Sequence, residues 1–220
     1  MAKEEIKSKV VTSTDVLRYI PNLIGYARVI TAIISFLTMP RYPTMTGLVY
    51  AVSCLLDAAD GTAARRYNQV SRLGAVLDMV TDRATTAGLI CFLTLAFPNL
   101  AFFLQVLLAL DISSHYMHMY ASLSSGSGSH KTVSKESSKL LNLYYSRRDV
   151  LFTVCFFNEC FYGGLYWCAF DNYHTIGKWV VIISTPLFLF KQFANVIQLQ
   201  RAALILANAD AKDATEKSKK

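Results

Sequence analysis

Four aspartates lie in two consecutive apolar segments of this 220-residue chain, where charged side chains are rare. Asp57 precedes Asp60 by three residues, so the two share one face of a helix. Asp78 precedes Asp82 by four residues and shares a face with it in the same way. Each uncompensated aspartate costs about 2.5–3.5 kcal/mol at the centre of a membrane helix, so something must neutralise them. Facing carboxylates suit hard divalent cations, which often also hold substrate phosphates. The spacing therefore predicts metal-dependent phosphate chemistry inside a membrane.

Small residues and an arginine extend the first acidic face. Gly61 and Ala64 follow at helical spacing, and their lack of bulk allows a substrate or another helix to approach closely. Arg65 closes the face, and a guanidinium is well suited to bidentate contact with phosphate. From Asp57 to Arg65 a helix rises about 12 Å, at 1.5 Å per residue. We therefore expect the carboxylates to lie just below the headgroup zone, where a phospholipid diphosphate would sit.

The elements that must position these residues are predicted to be membrane helices. The chain is 53% hydrophobic and only 17% charged, whereas soluble proteins average about 25% charged. Six apolar segments approach the spanning length of ~20 residues. They run at about 22–37, 44–64, 73–97, 100–123, 150–170 and 176–206. We predict an all-α polytopic membrane protein with six transmembrane helices.

Three regions follow from this layout. Residues 1–20 form a cytosolic N-terminus with a short interfacial helix, predicted from the mixed pattern of Thr14–Ile20 and capped near Ser13 or Thr14. Residues 21–207 form the six-helix domain. Residues 208–220 are predicted to be a polar cytosolic tail with a frayed backbone.

The basic residues predict the orientation of the helices. The net charge is +7, and most of the 22 Lys and Arg residues fall on one side of the six-span layout. That side holds Lys3, Lys7, Lys9, Arg18, Arg65, Arg66, Arg72, Lys131, Lys135, Lys139, Arg147, Arg148, Lys212, Lys217, Lys219 and Lys220. The other side holds only Arg41 and Lys178. Both termini are therefore predicted to be cytosolic, and the basic charge faces anionic lipid headgroups rather than nucleic acid.

An aspartate in a membrane helix can also have a structural or a transport role. Small residues beside polar ones often only pack helices together, and a lone aspartate can serve an ion pair or a proton relay. A cation or proton transporter could use the same carboxylates. Intramembrane prenyltransferases also bind diphosphates through aspartate pairs, but they use more spans and place the pairs far apart. Four aspartates at this spacing, with the adjoining small residues and arginine, favour an enzyme.

The whole pattern resembles that of the CDP-alcohol phosphotransferases. The run Asp57-x-x-Asp60-Gly61-x-x-Ala64-Arg65 is followed, after eight residues, by Gly74-x-x-x-Asp78-x-x-x-Asp82, and no position departs from the family pattern. Further segments resemble the eukaryotic-type phosphatidylinositol synthase branch. They are Met79–Arg83, Asp111–His115, Gly128–Lys131 and Asn158–Tyr162. Asn22 and Arg28 resemble the Asn…Arg pattern that opens many members.

The resemblance implies a role for each of these positions. It implies that two ions, Mg²⁺ or Mn²⁺, are held by Asp57, Asp60, Asp78 and Asp82, and that Asp82 is also the general base. It implies contact with CDP-diacylglycerol for Gly61, Ala64, Arg65, Ser71 and Gly74. Further candidates are Asn22, Arg28, Arg83 and Lys131; Arg83 follows Asp82 inside a span, so it is expected to pair with a carboxylate or a phosphate.

The implied reaction transfers the phosphatidyl group of CDP-diacylglycerol to myo-inositol, which gives phosphatidylinositol and CMP. The branch also implies a homodimer in the endoplasmic reticulum membrane. The family pattern itself serves several acceptors, so serine, glycerol phosphate, or a CDP-choline donor with diacylglycerol, remain open as alternatives.

Overall fold

The computed structural model describes residues 11–124 and 147–219, and every regular element in these ranges is helical. The helices are α1 (Ser13–Leu17), α2 (Ile20–Thr38), α3 (Pro43–Arg66), α4 (Arg72–Ala96), α5 (Ala101–Ser124), α6 (Arg148–Cys168) and α7 (His174–Lys217). Short 3-10 turns lie at Pro98–Leu100 and Asp171–Tyr173. The expected all-α class is thus confirmed within these ranges. Lys131 and the segment around it lie outside the described residues.

The chain divides into two compact units, Met1–Thr85 and Thr86–Lys220. In the first unit, helix α1 begins at a capping box. The Thr12 hydroxyl accepts a hydrogen bond from the Asp15 backbone N–H at 3.2 Å, and the Thr12 N–H donates to the Asp15 carboxylate at 2.9 Å. This reciprocal pair satisfies backbone groups that a helix start leaves open. A helix is therefore present where the sequence predicts one, with its cap one residue earlier at Thr12.

A polar turn joins α3 to α4 and is fastened to the start of α2. Asn68 adopts a positive φ of 53°, which asparagine tolerates better than most residues. The next side chain, Gln69, accepts a hydrogen bond from the Ile20 backbone N–H at 2.9 Å. Asn22 ties α1 to α2 by donating from its amide to the Val16 carbonyl at 2.6 Å. The start of α2 and the turn between α3 and α4 are thereby held together.

The second unit packs α7 against α5 and α6. The rings of Phe161 and Phe188 stack with centroids 3.7 Å apart, and Tyr162 meets Phe188 edge-on at 5.5 Å. Gly164 and Gly177 form a close crossing of α6 and α7, because a Cβ on Gly177 would lie 2.6 Å from the Gly164 carbonyl oxygen. The small residues let the two backbones approach, as is common between membrane helices.

Three helical segments of the described chain are long and apolar enough to cross a membrane. They are Ile20–Thr38, Pro98–Ser124 and Asp171–Lys217, with mean hydropathies of 1.5, 1.4 and 1.7. Helices α3 and α4 carry the four aspartates, which lower the apolar character of those segments. Many large apolar side chains point outward, among them Leu95 and Phe102, each 81% exposed. Such exposure is expected of a surface that faces lipid.

Helix α7 is longer than the sequence predicts. The expectation that the backbone frays from Asn208 is wrong, because the helix continues to Lys217. The polar end of the helix contains Ala207, Ala209, Ala211 and Ala214, and alanine has the highest intrinsic helix propensity. The high helix propensity of these alanines therefore explains why the helix continues beyond its apolar part.

Candidate active site

The four aspartates form one group in the first unit, which we call the aspartate cluster (Asp57, Asp60, Asp78 and Asp82). Helix α3 supplies the first two residues and helix α4 the last two. Carboxylate oxygens of Asp57, Asp60 and Asp78 lie within 4.8 Å of one another. The helical spacing thus does bring the two pairs together, as the sequence predicts.

Arg28 of α2 lies at the centre of the aspartate cluster. Its Nη1 is 2.9 Å from Asp60 Oδ2 and 2.7 Å from Asp78 Oδ1. Its Nη2 is 2.6 Å from Asp57 Oδ1 and also contacts Asp82 Oδ1. One guanidinium therefore bridges all four carboxylates and fixes α2 to both acidic helices.

Exposure differs sharply between the arginine and its partners. The side chain of Arg28 is only 3% exposed, whereas those of Asp57 and Asp78 are 42% and 48% exposed. Asp60 is buried, at 11% exposure of its side chain, and Asp82 is intermediate at 34%. The arginine thus lies beneath the carboxylates, and the carboxylates form the accessible surface of the site.

The donor set fits a hard divalent cation. Mg²⁺ and related ions prefer carboxylate oxygens, and three of them converge here from neighbouring helices. Asp57 and Asp78 are open to an entering ion. Four ionised carboxylates would exceed the positive charge of the arginines beside them, which favours the binding of cations.

Arg83 lies at the edge of the aspartate cluster. Its Nη2 is 3.6 Å from Asp82 Oδ2, so the expected pairing with a carboxylate is present. Asp82 consequently contacts a different arginine through each carboxylate oxygen: Arg28 through Oδ1 and Arg83 through Oδ2. Of the four aspartates, it is the one held between two guanidinium groups.

A cavity of about 180 Å³ adjoins the aspartate cluster. Its lining includes the predicted residues Asp60, Gly61, Ala64, Arg65, Ser71, Gly74 and Asp78. The sequence reasoning did not single out other lining residues: Pro21 and Gly25 of α2, Gln69 and Val70 of the α3–α4 turn, and Ala75 and Leu77 of α4. Their types carry no chemical signal, and only the three-helix packing places them here.

Gly74 is necessary where α4 passes α2. A Cβ at this position would lie 2.9 Å from Asn22 Oδ1 and 3.1 Å from Ser71 Oγ. The same Ser71 hydroxyl accepts a hydrogen bond from the Gly74 backbone N–H at 3.0 Å. Asn22 is fully buried, and its Oδ1 is without a hydrogen-bond partner in the described structure. Any added side chain here would displace these polar groups at the cavity wall.

Gly61 and Arg65 lie one turn apart on the cavity side of α3. A Cβ added to Gly61 would meet the Arg65 guanidinium at 3.5 Å, an ordinary contact distance. Arg65 is itself exposed at the end of the helix. The missing side chain of Gly61 therefore leaves open the space in front of a guanidinium that can reach an anion in the cavity.

Known proteins are similar to this chain over nearly its whole length. The sequence model of the CDP-alcohol phosphatidyltransferase family matches residues 18–206. Relatives named CDP-diacylglycerol–inositol 3-phosphatidyltransferase include a Saccharomyces cerevisiae protein, 64% identical over 95% of both chains. A Candida albicans relative of the same name is 53% identical over 96% of this chain and 91% of its own. A Homo sapiens relative, again of that name, is 41% identical over 92% of this chain and 98% of its own.

No solved structure matches the chain significantly. The family match nevertheless covers the whole of α3 and α4, and with them every predicted signature residue from Asp57 to Asp82. Identity to named relatives extends over nearly the whole length. The chain therefore belongs to the CDP-alcohol phosphatidyltransferase family.

Proposed function

We propose that this protein transfers the phosphatidyl group from CDP-diacylglycerol to myo-inositol and releases CMP. The observation that carries the proposal is the aspartate cluster beside a cavity lined in part by small residues. The chain is also 64% identical to a relative named for this reaction. The cavity accepts the nucleotide diphosphate, and the apolar helix surfaces accommodate the two acyl chains.

The donor is held by groups at the cavity wall. Arg65 offers a forked set of N–H donors for the diphosphate, and Gly61 leaves the space in front of it open. Gly74 and Ala64 let the nucleotide approach the helix backbones closely. The buried, unpartnered Oδ1 of Asn22 can accept a hydrogen bond from an amino or hydroxyl group of the nucleotide.

Divalent cations, Mg²⁺ or Mn²⁺ and two in number, would be held by the aspartate cluster. When bound, such ions neutralise charge on the diphosphate and on the departing CMP. The aspartates supply their charge at a fixed place, because Arg28 fastens both α3 and α4 to α2. The residues need not move to form the site.

Asp82 acts as the general base. An inositol hydroxyl attacks the phosphorus atom that carries the diacylglycerol group; the new O–P bond forms as the P–O bond to CMP breaks. The hydroxyl proton passes to Asp82 late in this step, when the oxygen has become acidic. A carboxylate with a reference pKa near 3.9 could not remove it beforehand. Such assistance is typically worth about 10²–10⁴-fold in rate.

The membrane arrangement is also proposed. Helices α2 to α7 make six spans, α1 lies at the interface, and both termini face the cytosol from the endoplasmic reticulum membrane. The protein acts as a homodimer. A glycosylation tag fused after Lys220 should remain unmodified. Efficient glycosylation of the tag would overturn this topology.

An acceptor panel tests the reaction. Purified protein receives CDP-diacylglycerol and Mn²⁺ with inositol, serine or glycerol phosphate as the acceptor. We expect phosphatidylinositol and CMP in equal amounts, with inositol alone as the productive acceptor and no product after chelation with EDTA. Product with serine but not inositol would contradict the acceptor assignment, and product in excess EDTA would contradict the use of cations.

A further inference from the structure

The guanidinium of Arg28 is saturated by carboxylates at both terminal nitrogens. Each terminal nitrogen carries two hydrogens, so the fork has four donors in addition to Nε–H. Nη1 contacts Asp60 and Asp78, and Nη2 contacts Asp57 and Asp82. Each terminal nitrogen therefore has two aspartates beside it, and every aspartate of the cluster has one of these nitrogens beside it.

This arrangement compensates the repulsion that four adjacent carboxylates would cause in the folded chain. Like charges at such separations repel strongly where water is scarce. Arg28 is almost fully buried, and its Nε has no hydrogen-bond partner in the described structure, so the carboxylates are its main source of compensation. The chain thus carries its own cation at the place where the proposed function requires metal ions.

The arginine leaves the side chains of Asp57 and Asp78 partly exposed, at 42% and 48%. It contacts one oxygen of each carboxylate: Oδ1 of Asp57, Asp78 and Asp82, and Oδ2 of Asp60. Carboxylate oxygens of Asp57, Asp60 and Asp78 lie within 4.8 Å of one another, so a cation could contact all three residues. A cation that binds there meets carboxylates whose charge is already partly balanced, and it lies close to another positive charge.

We infer that Arg28 is a built-in counter-cation of the aspartate cluster, which stabilises the cation-free protein and lowers its affinity for divalent cations. The inference rests on the proposed function in one respect, that cations bind to these carboxylates. Its consequence is a site that stays assembled without metal and loads it reversibly. A residue that only held the ligands in place would have the opposite effect on affinity, because its loss would weaken binding.

The test is a Mn²⁺ titration of the full-length protein in detergent, with free Mn²⁺ measured by electron paramagnetic resonance and no substrate present. Arg28→Gln removes the positive charge, and Arg41→Gln is the matched control, since Arg41 is exposed in the turn after α2. We expect Arg28→Gln to bind Mn²⁺ roughly tenfold more tightly, within the range common for coupled ligands. Arg41→Gln should bind as the unaltered protein does.

Thermal unfolding provides the second readout. In EDTA, Arg28→Gln should unfold at a lower temperature than the unaltered protein, and Mn²⁺ should raise its midpoint by more, because a tighter ligand stabilises the folded state further. If Arg28→Gln can be obtained only when Mn²⁺ is present throughout purification, that dependence supports the inference. Equal or weaker Mn²⁺ binding by Arg28→Gln overturns it.

Two further variants distinguish failure of the inference from failure of the proposed function. Arg28→Lys keeps one positive charge but lacks the fork that reaches four carboxylates, so its Mn²⁺ affinity should lie between those of the unaltered protein and Arg28→Gln. Binding by Arg28→Lys that is weaker than in the unaltered protein also overturns the inference. Asp57→Asn should bind Mn²⁺ poorly. If the unaltered protein itself binds no Mn²⁺, the use of cations in the proposed function fails; if only the Arg28 variants behave otherwise than expected, the inference alone fails.

Discussion

Two groups of polar residues are built into apolar helices of this protein, one in each unit. The aspartate cluster of α3 and α4 is anionic, and its carboxylates are partly exposed beside a cavity. The second group, which we call the amide network, consists of Asn158 and Glu159 of α6 with Lys191, Gln192 and Asn195 of α7. Its hydrogen bonds run from side chain to side chain, and the bond from Gln192 to Asn158 joins the two packed helices.

Most of the amide network is buried between helices, whereas the aspartate cluster is partly exposed. Gln192 Nε2 donates to Asn158 Oδ1 at 3.0 Å, and Lys191 Nζ donates to Asn195 Oδ1 at 2.5 Å. Lys191 and Asn195 are almost fully buried. A network of this kind fixes how two helices meet. The aspartate cluster instead presents carboxylates at an accessible surface, which structural packing does not require and which binding does.

Removing a carboxylate charge tests whether the aspartate cluster, unlike the amide network, binds a cation. Asp57→Asn, Asp60→Asn and Asp78→Asn should each lose most of the activity, roughly 10³-fold or more, because a bound cation contributes several kcal/mol of charge stabilisation. The measurement is turnover at saturating CDP-diacylglycerol and Mn²⁺. Asp210→Asn is the matched control on the exposed end of α7 and should retain full activity. Near-normal turnover in any of the three would show that the altered carboxylate does not hold a cation.

Asp82→Asn should separate proton transfer from donor binding. Asparagine keeps the shape of the side chain but cannot accept the proton, so turnover should fall about 10²–10⁴-fold. Affinity for CDP-diacylglycerol should fall less than it does in Asp57→Asn. Turnover and donor binding are measured side by side in both variants. Equal loss of donor binding in the two would make Asp82 chiefly a cation ligand and would leave the base to be found elsewhere.

Gly74→Ala tests the cavity wall rather than the charges. The added methyl group would lie 2.9 Å from Asn22 Oδ1, so Asn22 or α4 must shift at the cavity. We expect a loss of roughly tenfold in donor affinity, about 1.4 kcal/mol, with a smaller change in turnover. Gly163→Ala is the control, because a Cβ there has no neighbour within 4 Å. Unchanged donor binding in Gly74→Ala would place the nucleotide away from this wall.

Gln192→Leu should have the smallest effect on catalysis and a visible effect on stability. It removes the donor to Asn158 Oδ1 from the amide network. Hydrogen bonds between membrane helices are worth about 0.6 kcal/mol on average and up to ~1.7, so the unfolding midpoint should fall by a few degrees at most. Turnover per folded molecule should be unchanged. Gln105→Leu, at an exposed position of α5, should alter neither quantity. A specific loss of turnover in Gln192→Leu would show that the amide network also serves the reaction.

The sequence predicts the existence of these helices better than their contacts. The apolar segments at 22–37 and 44–64 correspond to Ile20–Thr38 and Pro43–Arg66, because prolines and a long apolar composition define them locally. The pairing of Asp57 with Asp60, and of Asp78 with Asp82, follows from the helical period alone. These features depend on residues close together in the chain, which is why they can be predicted.

The role of Arg28 could not be predicted in the same way. The sequence shows an arginine inside an apolar segment, and the resemblance makes it a candidate site residue, but neither identifies its partners. Its four partners lie 29 to 54 positions further along the chain, on two different helices. Which carboxylates it reaches depends on how α2 rotates against α3 and α4. The hydrogen bond from Gln192 to Asn158 likewise joins two helices through residues 34 positions apart, which local patterns do not predict.

The length of α7 has a practical consequence. Its 44 residues extend about 66 Å at 1.5 Å per residue, roughly twice the ~30 Å thickness of the bilayer hydrocarbon. Every side chain from Ala207 to Lys217 is exposed. A fluorescent protein or affinity handle joined to this end would be carried clear of the lipid on a stiff rod. Surface capture through that handle would then present the molecules in one orientation, which suits single-molecule measurements of substrate turnover.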